Sequence, residues 1–277
     1  MTSTTSTVRG DARPAERTRS ELGDVARTFL AVLWRDVFAT TRQLPTFLAQ
    51  MVVQPLLLFF VFGRVLGDAG YTQGDFGATL LPGVVALNAV LIALQTTAMP
   101  LIMDFSWSGE LEDRLLAPLP GPLVALAKMV YGAACGLLSG LVMAPLGFLV
   151  LGGAWPLAAW PGVLLVLVLG AATGAGIGMA LGTIVSPDRI GVTFALVLAP
   201  LTFTGSVQYS WGSLGKLPWF QVVSAANPLT YVCEGIRAVT LAGTWSIPLP
   251  VDVLVLVAVV VVCGAIGLKG FMARAVS

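Results

Sequence analysis

Between Met129 and Thr183 the chain reads MVYGAACGLLSGLVMAPLGFLVLGGAWPLAAWPGVLLVLVLGAATGAGIGMALGT, without one charged side chain. Soluble domains carry roughly a quarter charged residues, so a stretch this long and apolar reads as membrane-embedded. Within it Gly132, Gly136, Gly140 and Ala144 recur every four residues, and Gly170, Gly174, Gly178 and Gly182 do the same. That period keeps small residues on one helix face, where they let backbones approach closely. The short uncharged link GGAWPLAAW joins the two stretches, and the simplest expectation is that these helices pack on each other within one subunit. With no strand before them, these glycines are excluded as a nucleotide-binding loop.

The rest of the chain follows suit. Of 277 residues, 57% are hydrophobic and 10% charged, with a net charge of +1 that argues against a nucleic-acid partner. There is no histidine, which removes the commonest metal ligand and general base. Cys135, Cys233 and Cys263 are scattered among apolar residues and read as small packing side chains, neither a disulfide framework nor a zinc site.

A helix needs about 20 apolar residues to cross the hydrocarbon core. Six segments qualify: 46–66, 78–103, 123–151, 160–185, the short 190–206, and 250–268. The first carries a kink signal at Gln54-Pro55. An even count puts both termini on one side. Cytoplasmic termini place Arg9, Arg13, Arg17, Arg19, Arg27, Arg35, Arg42, Arg114, Lys128, Arg189, Lys269 and Arg274 inside, and only Arg64, Lys216 and Arg237 outside. The positive-inside rule therefore selects cytoplasmic termini.

Residues 1–20 are polar, Ser/Thr-rich and basic, and read as a disordered cytoplasmic arm. The first apolar run begins only near Thr46, beyond the place of a secretory signal. Residues 21–45 put Leu22, Ala26, Phe29, Leu33 and Val37 at helical spacing with charges interleaved, an interfacial amphipathic helix ended by Pro45. A soluble amphipathic helix is the plainer alternative; Phe29, Trp34 and Phe38 favour the membrane surface. The fold class is thus an all-α polytopic membrane protein, with residues 46–277 as its six-span domain.

Two connections carry charge. Between spans two and three lies DFSWSGELEDRLLAPLPGPL, with Asp104, Glu110, Glu112, Asp113 and Arg114. Ser108 can cap a short helix there, with Leu111, Leu115 and Leu116 on its apolar side and Pro118 at its end. Such a segment suits a lever pressed by a partner, or equally an ordinary solvated loop. Before span six, NPLTYVCEGIR places Asn227 as a helix cap and Pro228 in the first turn. Glu234 and Arg237, three apart, share a face and can pair. With the aromatic anchors Tyr209, Trp211, Trp219, Phe220, Tyr231 and Trp245, residues of about 212–245 read as a re-entrant hairpin in the outer leaflet, built of pieces near Lys216–Ala225 and Pro228–Ala242. The pair is read as structural and as shaping the outer exit of a pathway.

No P-loop occurs. SWGSLGKL has the wrong glycine spacing and Leu217 where Ser or Thr would hold magnesium, so ATP-driven work needs another chain.

Together these features resemble the type-2 ABC exporter permeases, most closely the daunorubicin-resistance branch. The amphipathic helix, six spans, GELEDRLLAPL and ANPLTYVCEGIRAV carry the likeness across nearly the whole chain. Gly109, Leu111, Glu112 and Pro118 match the family's loop pattern, while Arg114 and the Pro/Gly-rich run after it depart from it. The resemblance implies a permease in the cell membrane, homodimeric or paired with a similar permease, and bound to two ATPase subunits. ATP and magnesium would sit on those subunits. The loop Gly109, Glu110, Leu111, Glu112, Asp113, Arg114, Leu115 and Pro118 would transmit their closure, driving export of an amphipathic drug, antibiotic, lipid or glycan, as in drug resistance.

Polar residues inside spans, Gln50, Gln54, Asn88, Gln95, Thr96 and Thr202, are candidates for lining the pathway or for hydrogen-bonding between helices. Two other classes stand beside the exporter. An ion-coupled carrier or channel usually buries an acid at mid-membrane, and a membrane enzyme lacks here any histidine, metal cluster or facing acid pair.

Overall fold

The computed structural model describes residues 44–70, 76–107, 121–241 and 246–276, together with 27, 29–31, 33–35 and 38. The arm at 1–20 and the loop residues Gly109 to Pro118 lie outside the described residues. The described positions from 27 to 38 are helical, with Leu30, Trp34 and Phe38, four residues apart, exposed on one stripe.

Every regular element among the described residues is helical. We label α1 (Leu44–Leu58), α2 (Phe76–Trp107), α3 (Gly121–Leu151), α4 (Trp160–Ile184), α5 (Ile190–Thr204), α6 (Pro218–Ala225), α7 (Pro228–Thr240) and α8 (Leu249–Val276). Five stretches are long and apolar enough to cross a membrane: Phe47–Val65, Phe76–Asp104, Gly121–Leu151, Leu157–Ile184 and Leu249–Arg274. The sixth, α5, is apolar but has only 15 residues, about 22 Å at the helical rise. Exposed Leu149, Val192, Leu196, Phe203, Leu254 and Val261 give the bundle an apolar outer surface that lipid or protein must cover.

α2 is the axle. Its residues Leu80 to Leu94 are buried without interruption, as befits a helix apolar all round. The two ladder helices pack on each other as expected, but both ladders themselves close mainly on α2. On α3, a Cβ at Gly132 would strike Thr97 and one at Gly136 the Ala89 carbonyl, so α3 runs antiparallel to α2. On α4, a Cβ at Gly174 would strike the Val90 carbonyl, and one at Gly178 would come within 2.5 Å of the Leu94 carbonyl, so α4 runs parallel to α2. One helix with no glycine stripe of its own receives two helices that have one. The period revealed the close approach but not the recipient. The two ladder helices touch at Gly140 and Leu167.

α1 is irregular for a chemical reason. Pro55 has no N–H, so the Met51 carbonyl loses its helical donor. Asn88 supplies one: its Nδ2 lies 3.1 Å from the Met51 carbonyl and 2.6 Å from Ser139 Oγ. One side chain thus ties α1, α2 and α3 together. The α-helix runs through the kink signal at Gln54-Pro55 as far as Leu58 and widens only one turn later into a π-helix, Phe59–Val65.

After α5 the chain reverses. Ser206 takes φ 54°, a left-handed conformation uncommon outside glycine, and its hydroxyl lies 3.0 Å from Ser224 Oγ. Val207 then rests on α2 at Gly83, where a Cβ would collide with the Val207 carbonyl. A short 3-10 helix, Trp211–Lys216, leads to α6 and, past Ala226 and Asn227, to α7.

Candidate functional site

The densest polar constellation of the bundle gathers on α7. Asn227 caps it: the side-chain oxygen accepts from the Leu229 N–H at 2.9 Å, as an N-cap asparagine should. The same amide's nitrogen donates to the Leu201 carbonyl and to Thr204 Oγ1, both at 2.9 Å. One residue therefore closes the start of α7 and the end of α5, where helices leave groups unpaired. Tyr231 donates to the Ala225 carbonyl at 2.7 Å and Thr230 to the Ser224 carbonyl at 2.6 Å, bracing the turn between α6 and α7.

Glu234 and Arg237 are both buried, and Arg237 Nη1 lies 2.8 Å from Glu234 Oε1. The Trp211 backbone N–H donates to the same carboxylate oxygen at 2.9 Å. Arg237 also donates from Nε and Nη2 to the Thr79 carbonyl, at 3.2 and 3.0 Å, and from Nη2 to the Val207 carbonyl at 3.0 Å. The guanidinium fork thereby joins the first turn of α2, the reversal after α5, and α7. Its planar donors suit this many-sided binding better than a lysine would.

Asp252, in the first turn of α8, lies beside that knot. A Cβ on Gly235 would stand 3.5 Å from its Oδ2. Its carboxylate is fully buried, and neither oxygen has a hydrogen-bond partner among the described residues. Asp252 was not singled out from the sequence; the signal available was an acid next to an apolar run.

The span residues divide by environment. Gln54, Gln95 and Thr202 line one groove between α1, α2 and α5, of about 960 Å³, joined by Gln208 and walled by Val53, Leu57, Val61, Phe62 and Phe203. Asn88 is buried and committed to Met51 and Ser139. Thr96 bonds back to the Ile92 carbonyl of its own helix at 2.6 Å. Gln50 lies on α1 one turn before Gln54, its side chain outside the described residues. At the opposite end of α2 from Thr79, Lys128 Nζ meets Asp104 Oδ2 at 2.9 Å.

Five helices long and apolar enough to cross a membrane, packed in one bundle, define a multi-pass membrane protein. Residues 27–241 match the family described as ABC-2 type transporter, and the chain belongs to that family. It is 27% identical over 192 residues to the inner membrane transport permease YadH of Escherichia coli K12, covering 67% of this chain and 72% of YadH. It is 26% identical over 233 residues to the putative transport permease ycf38 of Cyanophora paradoxa, covering 78% and 75%. Membership implies the membrane subunit of an ABC transporter, with an ATPase partner.

Proposed function

We propose that the chain is the permease subunit of an ATP-driven exporter, both termini cytoplasmic, working as a homodimer or with a similar permease and two ATPase copies. The cargo is an amphipathic drug, antibiotic, lipid or glycan, moved outward. ATP and magnesium are held by the partner subunits, and residues Gly109 to Pro118 receive the stroke. GELEDRLLAPL and ANPLTYVCEGIRAV support the daunorubicin-resistance branch within the family.

The observation that carries this reading is the groove. Its wall is apolar, with three amides and a hydroxyl and no charge. That chemistry suits a greasy molecule with hydrogen-bonding groups. It opens sideways, flanked by exposed Val53, Leu57 and Phe203, so a second permease laid against α1 and α5 would close it into a shared passage. The short α5 and the hairpin of α6 and α7 would form the outer rim, pinned by Arg237.

The test is transport in vesicles holding this chain and its ATPase, with daunorubicin as the probe. ATP-dependent accumulation that falls severalfold in Gln95→Leu and Gln54→Leu, at unchanged ATPase binding, supports the groove. Undiminished accumulation in both variants removes it from the pathway.

A further inference from the structure

We propose that the Asp104–Lys128 ion pair is a register lock, which makes α2 and α3 move as one piece when the connection between them is displaced. This role rests on the permease reading above.

The glycine ladder is a smooth contact. Gly140 meets Ala89, Gly136 meets Ala93 and Gly132 meets Thr97, each step four residues on. A slip of one turn would still set Gly140 against Ala93 and Gly136 against Thr97, and only Gly132 would meet the larger Leu101, so the ladder fixes its register weakly. Directional bonds therefore strengthen it. Such bonds run directly from α2 to α3 in the middle of the bundle and at the end of the ladder. Asn88 donates to Ser139 Oγ mid-bundle, and Lys128 meets Asp104 at 2.9 Å. Lys128 stands one turn before Gly132, so the ion pair closes the register where the chain leaves α2 and enters α3.

The pair is placed where a stroke would arrive. Its side chains are only 8% and 16% exposed, so water screens it weakly. Beside it, Leu101, Ala125, Met179 and Phe271 pack together, which joins α2, α3, α4 and α8 in one layer. Arg274 at the end of α8 reaches the Ile184 carbonyl of α4 at 3.3 Å. A displacement of α2 and α3 held in register thus carries α4 and α8 with it. Without the lock, the same displacement is dissipated as sliding along the ladder.

A buried ion pair is weak evidence of stabilisation, since well-packed apolar residues often replace one without loss. That separates a lock from a strut. In the complex purified with its ATPase, the Asp104→Leu/Lys128→Met double variant removes both charges and leaves apolar bulk. Hydrogen–deuterium exchange of residues 206–240 is read with and without ATP and vanadate, alongside melting temperature and ATPase rate. The expected result is near-normal melting and hydrolysis, with the nucleotide-dependent change at 206–240 reduced roughly two- to thirtyfold, the span of coupling effects seen for residues outside both sites. The charge-exchanged Asp104→Lys/Lys128→Asp variant should recover part of it. A full nucleotide response in the double variant overturns the lock while leaving the permease reading intact. A wild-type complex with no nucleotide response at 206–240 overturns both.

Discussion

Removing Arg237 should damage the fold far more than removing its partner. Arg237→Met deletes four hydrogen bonds: two to Thr79, one to Val207 and one to Glu234. It leaves the Glu234 carboxylate buried with the Trp211 N–H at 2.9 Å and the Ser210 hydroxyl at 3.4 Å. Breaking a buried pair from one side costs about 3–5 kcal/mol. Glu234→Gln is milder, because Arg237 keeps its carbonyl partners and the Gln oxygen still accepts from Trp211. A loss of about 1–3 kcal/mol is expected, the range for an unsatisfied buried group. The double variant removes both charges of the pair and leaves neither unpaired, so its loss should undershoot the sum of the singles by about 0.5–3 kcal/mol, the coupling typical of residues in contact. Equilibrium unfolding in mixed micelles, followed by circular dichroism, gives all three values. Single losses that simply add, or an Arg237→Met loss below about 1 kcal/mol as for an exposed pair, would refute the knot.

Gly136→Val and Gly174→Val should each destabilise by about 1–3 kcal/mol or more, as overpacking does, because each Cβ strikes an α2 carbonyl. Gly191→Ala, with nothing within 4 Å of its Cβ, should be neutral or slightly stabilising; thermal melting compares them. Asn88→Ala should lose about 0.6–1.7 kcal/mol, the range for interhelical bonds in membrane bundles, and amide exchange near Pro55 should rise as α1 loosens. Asp252→Leu should keep or raise the melting temperature, because it removes a buried carboxylate that has no partner among the described residues; a clear fall would mean that the acid has a structural bond.

Much of the architecture was written in the amino-acid order because membrane helices obey a strict rule of length and apolarity. The long spans, and the helix start after Asn227, follow from local chemistry alone. The partner of each glycine ladder did not, since a stripe of small residues shows where backbones come close but not to which neighbour. Nor did the role of Asn88 announce itself. It depends on a carbonyl freed by a proline 33 positions earlier, at Pro55, and only the folded chain brings the two together. Gln54, Gln95 and Thr202 looked alike with Asn88 and Thr96 in sequence, yet packing places three at a groove, buries Asn88 and leaves Thr96 bonded to its own helix. The lock between Asp104 and Lys128 was hidden for the same reason: each charge stood at a span end, where a solvated head is the ordinary outcome.

The most direct measurement is cargo accumulation in sealed vesicles that contain this chain with or without its ATPase. Dependence on a separate motor requires uphill uptake of the probe only when the ATPase and hydrolysable ATP are both present. Uptake against a gradient by the permease alone, driven by protons or by nothing added, would contradict it.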